Sequence, residues 1–296
     1  MKKIQKIVTS SFHSAFSFLS ARNPNLLFLY YSYFAKRQGF KQSRFILSFD
    51  CDTEKDIAVV EDVHTRLGKL GITPVYAVPG QLLEKGKDVY CGLANRGVEF
   101  INHGYYSHCN FQAESNSYIS TFFYDQLTPE IIIDDIQRGH QSIINILGIK
   151  PTGFRVPHFG TFQKKENLKF LWTNLKTMGY KYSSSTLPLF GFLNGPLKQV
   201  DDDFYEIPLS GCYDFPLQIL DSWGFRFAPL RNVTENDYGQ QFGKMTSFFT
   251  KTGSFGLFNI YADPSQIYDW PIFFNCMELV SNISISSYDK LLKELG

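Results

Sequence analysis

Apolar residues along this chain recur with two periods that take turns. Phe45-Ile46-Leu47-Ser48-Phe49 is a short apolar run ending in acid, the pattern of a buried strand. Ile57, Val60, Val63, Leu67 and Leu70 then repeat at helical spacing, and Gly71 closes that helix. Pro74 to Val78 reads as a second strand stopped by Pro79-Gly80, and Val98 to Asn102 as a third. Thr128-Pro129 opens a helix that runs to Gly148. Gly153-Phe154-Arg155 is a brief strand, and Leu168, Leu171, Leu175 and Met178 mark a helix ended by Gly179. After Leu187 the pattern loosens, although Phe255 to Tyr261 reads as a late strand. Strands alternating with helices over short connections predict a parallel sheet, open or closed. No repeat or linker interrupts it, so one domain is expected over residues 44–296.

The first 43 residues follow another pattern. Ile4, Val8, Phe12, Phe16 and Leu19 trace one stripe of a helix, and the apolar run from Leu26 to Tyr31 is far short of a membrane span. Charge sharpens the contrast. The chain carries 29 Lys and Arg against 28 Asp and Glu, a net charge of +1 that argues against nucleic acid as a partner. Yet Met1 to Arg44 holds eight basic residues (2, 3, 6, 22, 36, 37, 41 and 44) and no acidic one. Three readings follow. A segment packed on the outside of the domain comes slightly ahead of an interfacial helix held to anionic lipid through residues 1–40, and a cleaved export signal is third. Five scattered cysteines (51, 91, 109, 212 and 276) form no framework and favour a reducing compartment. The expected location is the cytoplasm, with the inner face of the membrane as the site of any peripheral contact.

Chemistry gathers just after the strands, where α/β folds place their catalytic groups. Asp50 and Asp52 lie two positions apart at a strand end, close enough to repel unless a cation or an arginine holds them. Alone, such a pair is more often a helix cap. His103 and His108 follow the third strand in Asn102-His103-Gly104-Tyr105-Tyr106-Ser107-His108. Five helical residues would turn the rings apart by roughly 140°, so shared coordination requires a loop, which Gly104 permits. Two unrelated surface histidines are an equal alternative. Arg155, in Gly153-Phe154-Arg155-Val156-Pro157-His158, can pair with a buried carboxylate or with a surface one.

In this order on successive strand ends, the three groups resemble the polysaccharide deacetylase family (carbohydrate esterase family 4). The resemblance runs from about Arg44 to Ser185 and more weakly through Glu206-Ile207-Pro208. It implies a distorted (β/α)7 barrel that hydrolyses the acetamido group of an N-acetylated sugar. It makes Asp50 the general base, Arg155 the residue that orients it, and Asp52, His103 and His108 the ligands of a divalent metal. Zn²⁺ suits that set, as do Co²⁺ and Ni²⁺. Pro157, Tyr105 and Tyr261 are expected at the substrate. Two departures stand out. The histidine spacing is five where the family has four, and the late Leu-x-His motif that supplies an acid has no counterpart in Phe255 to Asp263. His158 and Tyr261 are the candidate proton donors; Asp221 is a polar residue without an assigned place.

The expected substrate is a surface polysaccharide, a lipopolysaccharide or a lipid-linked precursor. A catalytically degenerate fold that binds a glycan or a protein partner is the alternative. A non-haem iron oxygenase would also use two His and a carboxylate, but usually on a β-sandwich, which this alternating pattern argues against.

Overall fold

The computed structural model describes residues 22–115, 117–227 and 233–296. Helix α1 spans Pro24–Arg37. The barrel elements follow: β1 Ser43–Asp50, α2 Glu54–Lys69, β2 Val75–Val78, α3 Gly80–Lys85, α4 Lys87–Asn95 and β3 Phe100–Asn102. A hairpin of β4 Cys109–Gln112 and β5 Ser117–Ser120 precedes α5 Pro129–Leu147, β6 Gly153–Phe154, α6 Lys165–Thr177 and β7 Tyr182–Ser183. Then come α7 Pro188–Asn194, β8 Lys198–Asp201, β9 Phe204–Glu206, α8 Ser222–Arg226, α9 Glu235–Phe249 and β10 Gly256–Ala262. Helices α10 Pro264–Ile267, α11 Pro271–Glu278 and α12 Tyr288–Leu295 end the chain.

The main sheet has the order β10-β1-β2-β3-β6-β7-β9-β8. Seven of these strands are parallel and β8 alone runs antiparallel, against β9. Between β9 and β10 no ladder forms. There the chain after β9 lies against β10: Ser210 N donates to Asn259 O at 2.7 Å, and Asn259 N donates to Ser210 Oγ at 2.9 Å. The result is the distorted (β/α)7 barrel with a seam.

Period-two alternation sets the layers. On β1, Phe45, Leu47 and Phe49 pack outward against the helices, while Ile46 joins Val75, Ala77, Ile101, Ile207 and Leu257 inside the barrel. Ser48 and Asp50 continue the inward face. A strand whose base is apolar and whose tip is charged therefore delivers its carboxylate to one end of the barrel.

Helix α1 covers the seam from outside. Phe28 stacks on Tyr213 at 5.0 Å and meets Phe192 and Phe248 at 5.3 Å, and the Tyr31 hydroxyl donates to Leu257 O at 2.8 Å. The stripe from Ile4 to Leu19 lies outside the described residues. Among the described residues no helix is long and apolar enough to cross a membrane.

Candidate metal centre

The sequence order Asp-x-Asp, His-x₄-His and Arg converges in space. The coordinating atoms of Asp52, His103 and His108 all lie within 4.8 Å of one another. His108 Nε2 is 3.0 Å from Asp52 Oδ1, and His103 Nε2 is 3.4 Å from the same oxygen. The two imidazoles stand at 89° with centroids 4.6 Å apart.

Convergence despite the five-residue spacing comes from the loop after β3. Gly104 there has φ +78, and a Cβ on it would lie 2.2 Å from Asp135 Oδ2. Asp135, on α5, is fully buried and accepts Tyr105 N at 2.9 Å, Tyr106 N at 2.8 Å and the Tyr124 hydroxyl at 2.5 Å. Asn102 Oδ1 takes Gly104 N at 3.0 Å, and Gln81 Oε1 takes Ser107 N at 2.8 Å. The loop absorbs the extra residue, and both rings turn back on Asp52. Asp135 carries no sequence signal: it is an acid in the middle of a helix, remote along the chain from the histidines it serves.

Tautomers follow from the partners. His103 Nδ1 faces Arg155 O at 2.8 Å, and a carbonyl only accepts, so Nδ1 carries the hydrogen and Nε2 a lone pair. His108 Nδ1 faces Tyr106 O at 3.4 Å in the same sense. Asp52 Oδ1 and His108 Nε2 are buried and neither has a hydrogen-bond partner. With His108 neutral, both atoms are acceptors and a cation between them would satisfy both; without one, a proton on Nε2 makes them an ion pair. Burial disfavours charge on Asp52, but His108 and His103 outweigh it and hold the carboxyl well below the ordinary carboxylate range. Burial likewise opposes charge on His108, and Asp52 overrides it upward. These residues fit a divalent metal.

Asp50 stands beside this cluster, its Oδ2 3.9 Å from His103 Nε2. Its Oδ1 accepts Arg155 Nη1 at 2.7 Å. Arg155 is fully buried and has every edge occupied: Ser48 Oγ at 2.8 Å, Ser184 O and Oγ at 3.1 Å, and the Tyr288 hydroxyl at 3.2 Å.

Above the cluster opens a cavity of about 490 Å³, floored by Asp50, Asp52 and His103 and walled by Phe123, Phe159, Leu187, Ile219, Trp223 and Tyr261. Two acids also line it. Asp221 caps α8 through Gly224 N at 3.1 Å and accepts the Tyr261 hydroxyl at 2.6 Å; burial lifts its carboxyl to about 6. Asp263 directly follows β10, whose last residue Ala262 pairs with Phe49, and is 8% exposed. No donor among the described residues reaches its carboxyl, which burial and the charges of Asp52, Asp56, Asp50 and Asp221 push well above its usual value. Asp263 was missed in the sequence, although an acid followed by Pro264 after the late strand was the available signal.

Three expected residues take other places. Tyr105 does not line the cavity: its ring lies under the Arg138 guanidinium at 3.9 Å and its hydroxyl turns to Glu84 at 3.4 Å. Pro157 is buried and does not line the cavity. His158 lines the cavity, but its Nε2 faces His108 O at 2.9 Å and Thr121 O at 2.8 Å, and burial lowers its pKa. A neutral ring whose N–H is committed to two backbone carbonyls ties the hairpin to the loop and has no proton to give from that nitrogen. Glu206 is buried under the wall, accepting Ser185 N at 2.8 Å, Thr186 Oγ1 at 2.9 Å and Trp172 Nε1 at 2.8 Å.

A carboxylate and two imidazoles facing one point, beside an arginine-held carboxylate at the rim of a parallel barrel, define a hydrolase-type site. Residues 37–183 match the polysaccharide deacetylase family, and the chain belongs to it. Two solved structures described as polysaccharide deacetylases have the same fold. One, from Mycobacterium smegmatis, is 15% identical with a TM-score of 0.62, covering 86% of this chain and 90% of its own. The other, from Pseudomonas aeruginosa PAO1, is 9% identical with a TM-score of 0.59 and the same coverages. The allantoinase Puue shares the fold too, at 10% identity and a TM-score of 0.58, over 86% of this chain and 89% of that one. No curated protein matches the sequence.

Proposed function

We propose that this protein hydrolyses the acetamido group of an N-acetylated sugar in a surface polysaccharide, a lipopolysaccharide or a lipid-linked precursor, releasing acetate and a free amine. The observation that carries the reading is the orphaned pair Asp52 Oδ1 and His108 Nε2, buried beside an arginine-held Asp50. Asp52, His103 and His108 would hold the divalent cation, for which Zn²⁺ is the first choice and Co²⁺ and Ni²⁺ are alternatives. When bound, the cation supplies Lewis acidity toward water and the amide carbonyl.

The chain's own residues do the rest. Arg155 occupies Asp50 Oδ1 and fixes the carboxyl group, leaving Oδ2 to take a proton from the attacking water. The aromatic walls suit the apolar faces of a pyranose, and Asp221 offers an acceptor to its hydroxyls. When the C–N bond breaks, the leaving nitrogen needs a proton. Asp263, without a donor on its carboxyl and sharing the cavity with Asp50, is the group placed to give it.

The test is metal content and acetate release from chitin oligosaccharides by the wild type, Asp52→Ala and Asp50→Asn. Asp52→Ala should lose both bound metal and activity; Asp50→Asn should keep the metal and lose activity by about 10²-fold or more. Glycan binding without acetate release, unchanged in Asp52→Ala, would identify a binding module instead.

A further inference from the structure

Helix α1 has two faces, and the fold uses one. Phe28, Tyr31, Ser32 and Ala35 are buried on the barrel, with Ser32 Oγ accepting Phe255 N at 2.7 Å. On the opposite side, Leu26, Leu29, Tyr30 and Tyr33 are 62, 59, 52 and 55% exposed. Their spacing (i, i+3, i+4, i+7) puts them in one stripe. Among the described residues nine large hydrophobic side chains are exposed, and these four are the most exposed of them. Leu193, at the end of the neighbouring α7, is a fifth at 46%.

The stripe is bordered by cations. Arg37 follows Tyr33 by one turn, its guanidinium 5.8 Å from the ring centroid and its Nη1 3.3 Å from the hydroxyl. Lys36 and Lys41 are exposed nearby in sequence. The first acidic residue of the chain is Asp50. The 21 residues that precede the described part repeat the composition, with Lys2, Lys3 and Lys6 and the apolar Ile4, Val8, Phe12, Phe16 and Leu19.

We propose that this face of α1 docks on an anionic lipid bilayer, the leucines and tyrosines entering the headgroup region and the basic residues meeting lipid phosphates. Tyrosine, with an apolar ring and a polar tip, suits that depth, and an acid-free basic flank suits a negative surface. A second protein copy fits less well. Stable interfaces take about 20–30 residues a side, and an all-basic flank repels its own copy. Because α1 is pinned by Tyr31 to Leu257, near the start of β10, and the cavity lies beyond its far end, the site stands about 20 Å along the strand from that anchor. Docking would hold the barrel at the membrane with its cavity open to a glycan. This inference does not depend on the catalytic reading, and its test uses no substrate.

The full chain should co-sediment with vesicles of phosphatidylcholine and phosphatidylglycerol (7:3), and bind pure phosphatidylcholine about tenfold more weakly or worse. Raising salt from 50 to 500 mM should weaken the anionic binding. Leu29→Ser/Tyr30→Ser/Tyr33→Ser should lose about tenfold in binding with an unchanged melting temperature, since these side chains lie outside the core. Equal binding to both vesicles, or full binding by the triple variant, would overturn the proposal. So would concentration-dependent dimerisation abolished by that variant, or loss of binding only on deletion of residues 1–21.

Discussion

At the scale of single residues, the site is a problem of unequal carboxylates. Four acids, Asp50, Asp52, Asp221 and Asp263, face one cavity, and each has a different environment. Arg155 takes Asp50, the two imidazoles face Asp52, and the Tyr261 hydroxyl and Gly224 N take Asp221. Asp263 has burial alone, which favours its neutral form; the charge of a bound cation pulls the other way. A test of the proton-donor role separates substrates by leaving group. Asp263→Asn should lower kcat on an acetamido sugar by about 10²–10⁴-fold. It should cost less than about tenfold on an aryl acetate, whose phenolate departs without a proton. Equal losses on both substrates would remove Asp263 from that step. Tyr261, one of the sequence candidates, donates to Asp221, so its hydroxyl hydrogen points into a carboxylate and away from a leaving amine.

At the scale of elements, the local chemistry of strand ends explains both what could be read and what could not. Phe45 to Phe49, Val98 to Asn102 and Phe255 to Tyr261 were legible because a buried strand is a short, mostly apolar run, and Gly148 and Gly179 because a helix stop favours positive φ. β6 was read from Gly153-Phe154, but β7 has two residues, too few to show any period, and β8 with β9 carries mixed polarity. The bend that unites His103 with His108 depends on Asp135 and Gln81, contacts that no local pattern announces. Asp56 is another hidden joint. It closes the α2 capping box with Thr53 and reaches across to Ser265 N at 2.8 Å, tying α2 to the turn after β10. Burial lifts its carboxyl to about 6, above the roughly 3.9 of an unfolded chain. The folded state therefore holds this proton longer, and its contribution to stability declines as pH rises from about 4 to about 6, by something of the order of 3 kcal/mol. Urea unfolding of wild type and Asp56→Asn from pH 4 to 7 should show the difference moving in favour of Asn across that window. Parallel profiles would show that Asp56 stays ionised in the fold.

At the scale of the whole molecule, the barrel is incomplete without the segment in front of it. Seven parallel strands leave a seam between β9 and β10 that Ser210 bridges, and α1 seals it with Phe28, Tyr31 and Ala35. The basic, acid-free composition of residues 1–44 marked this segment as distinct, but composition could not show that one face of it belongs to the fold. The two faces of α1 should therefore respond differently to the same kind of change. Phe28 is 2% exposed and held by three aromatic rings, so Phe28→Ala leaves a cavity over the seam and should cost about 3–5 kcal/mol. Leu29, its neighbour, is 59% exposed, and Leu29→Ala should stay within about 0.5 kcal/mol. Affinity for the proposed divalent metal, probed with Zn²⁺, should be unchanged in both, because the cluster lies at the far ends of the strands. Thermal unfolding with and without zinc reads both quantities. If Phe28→Ala proved as mild as Leu29→Ala, the helix would be an attachment to a barrel that closes by itself; if it also weakened zinc, the seam would be mechanically coupled to the site.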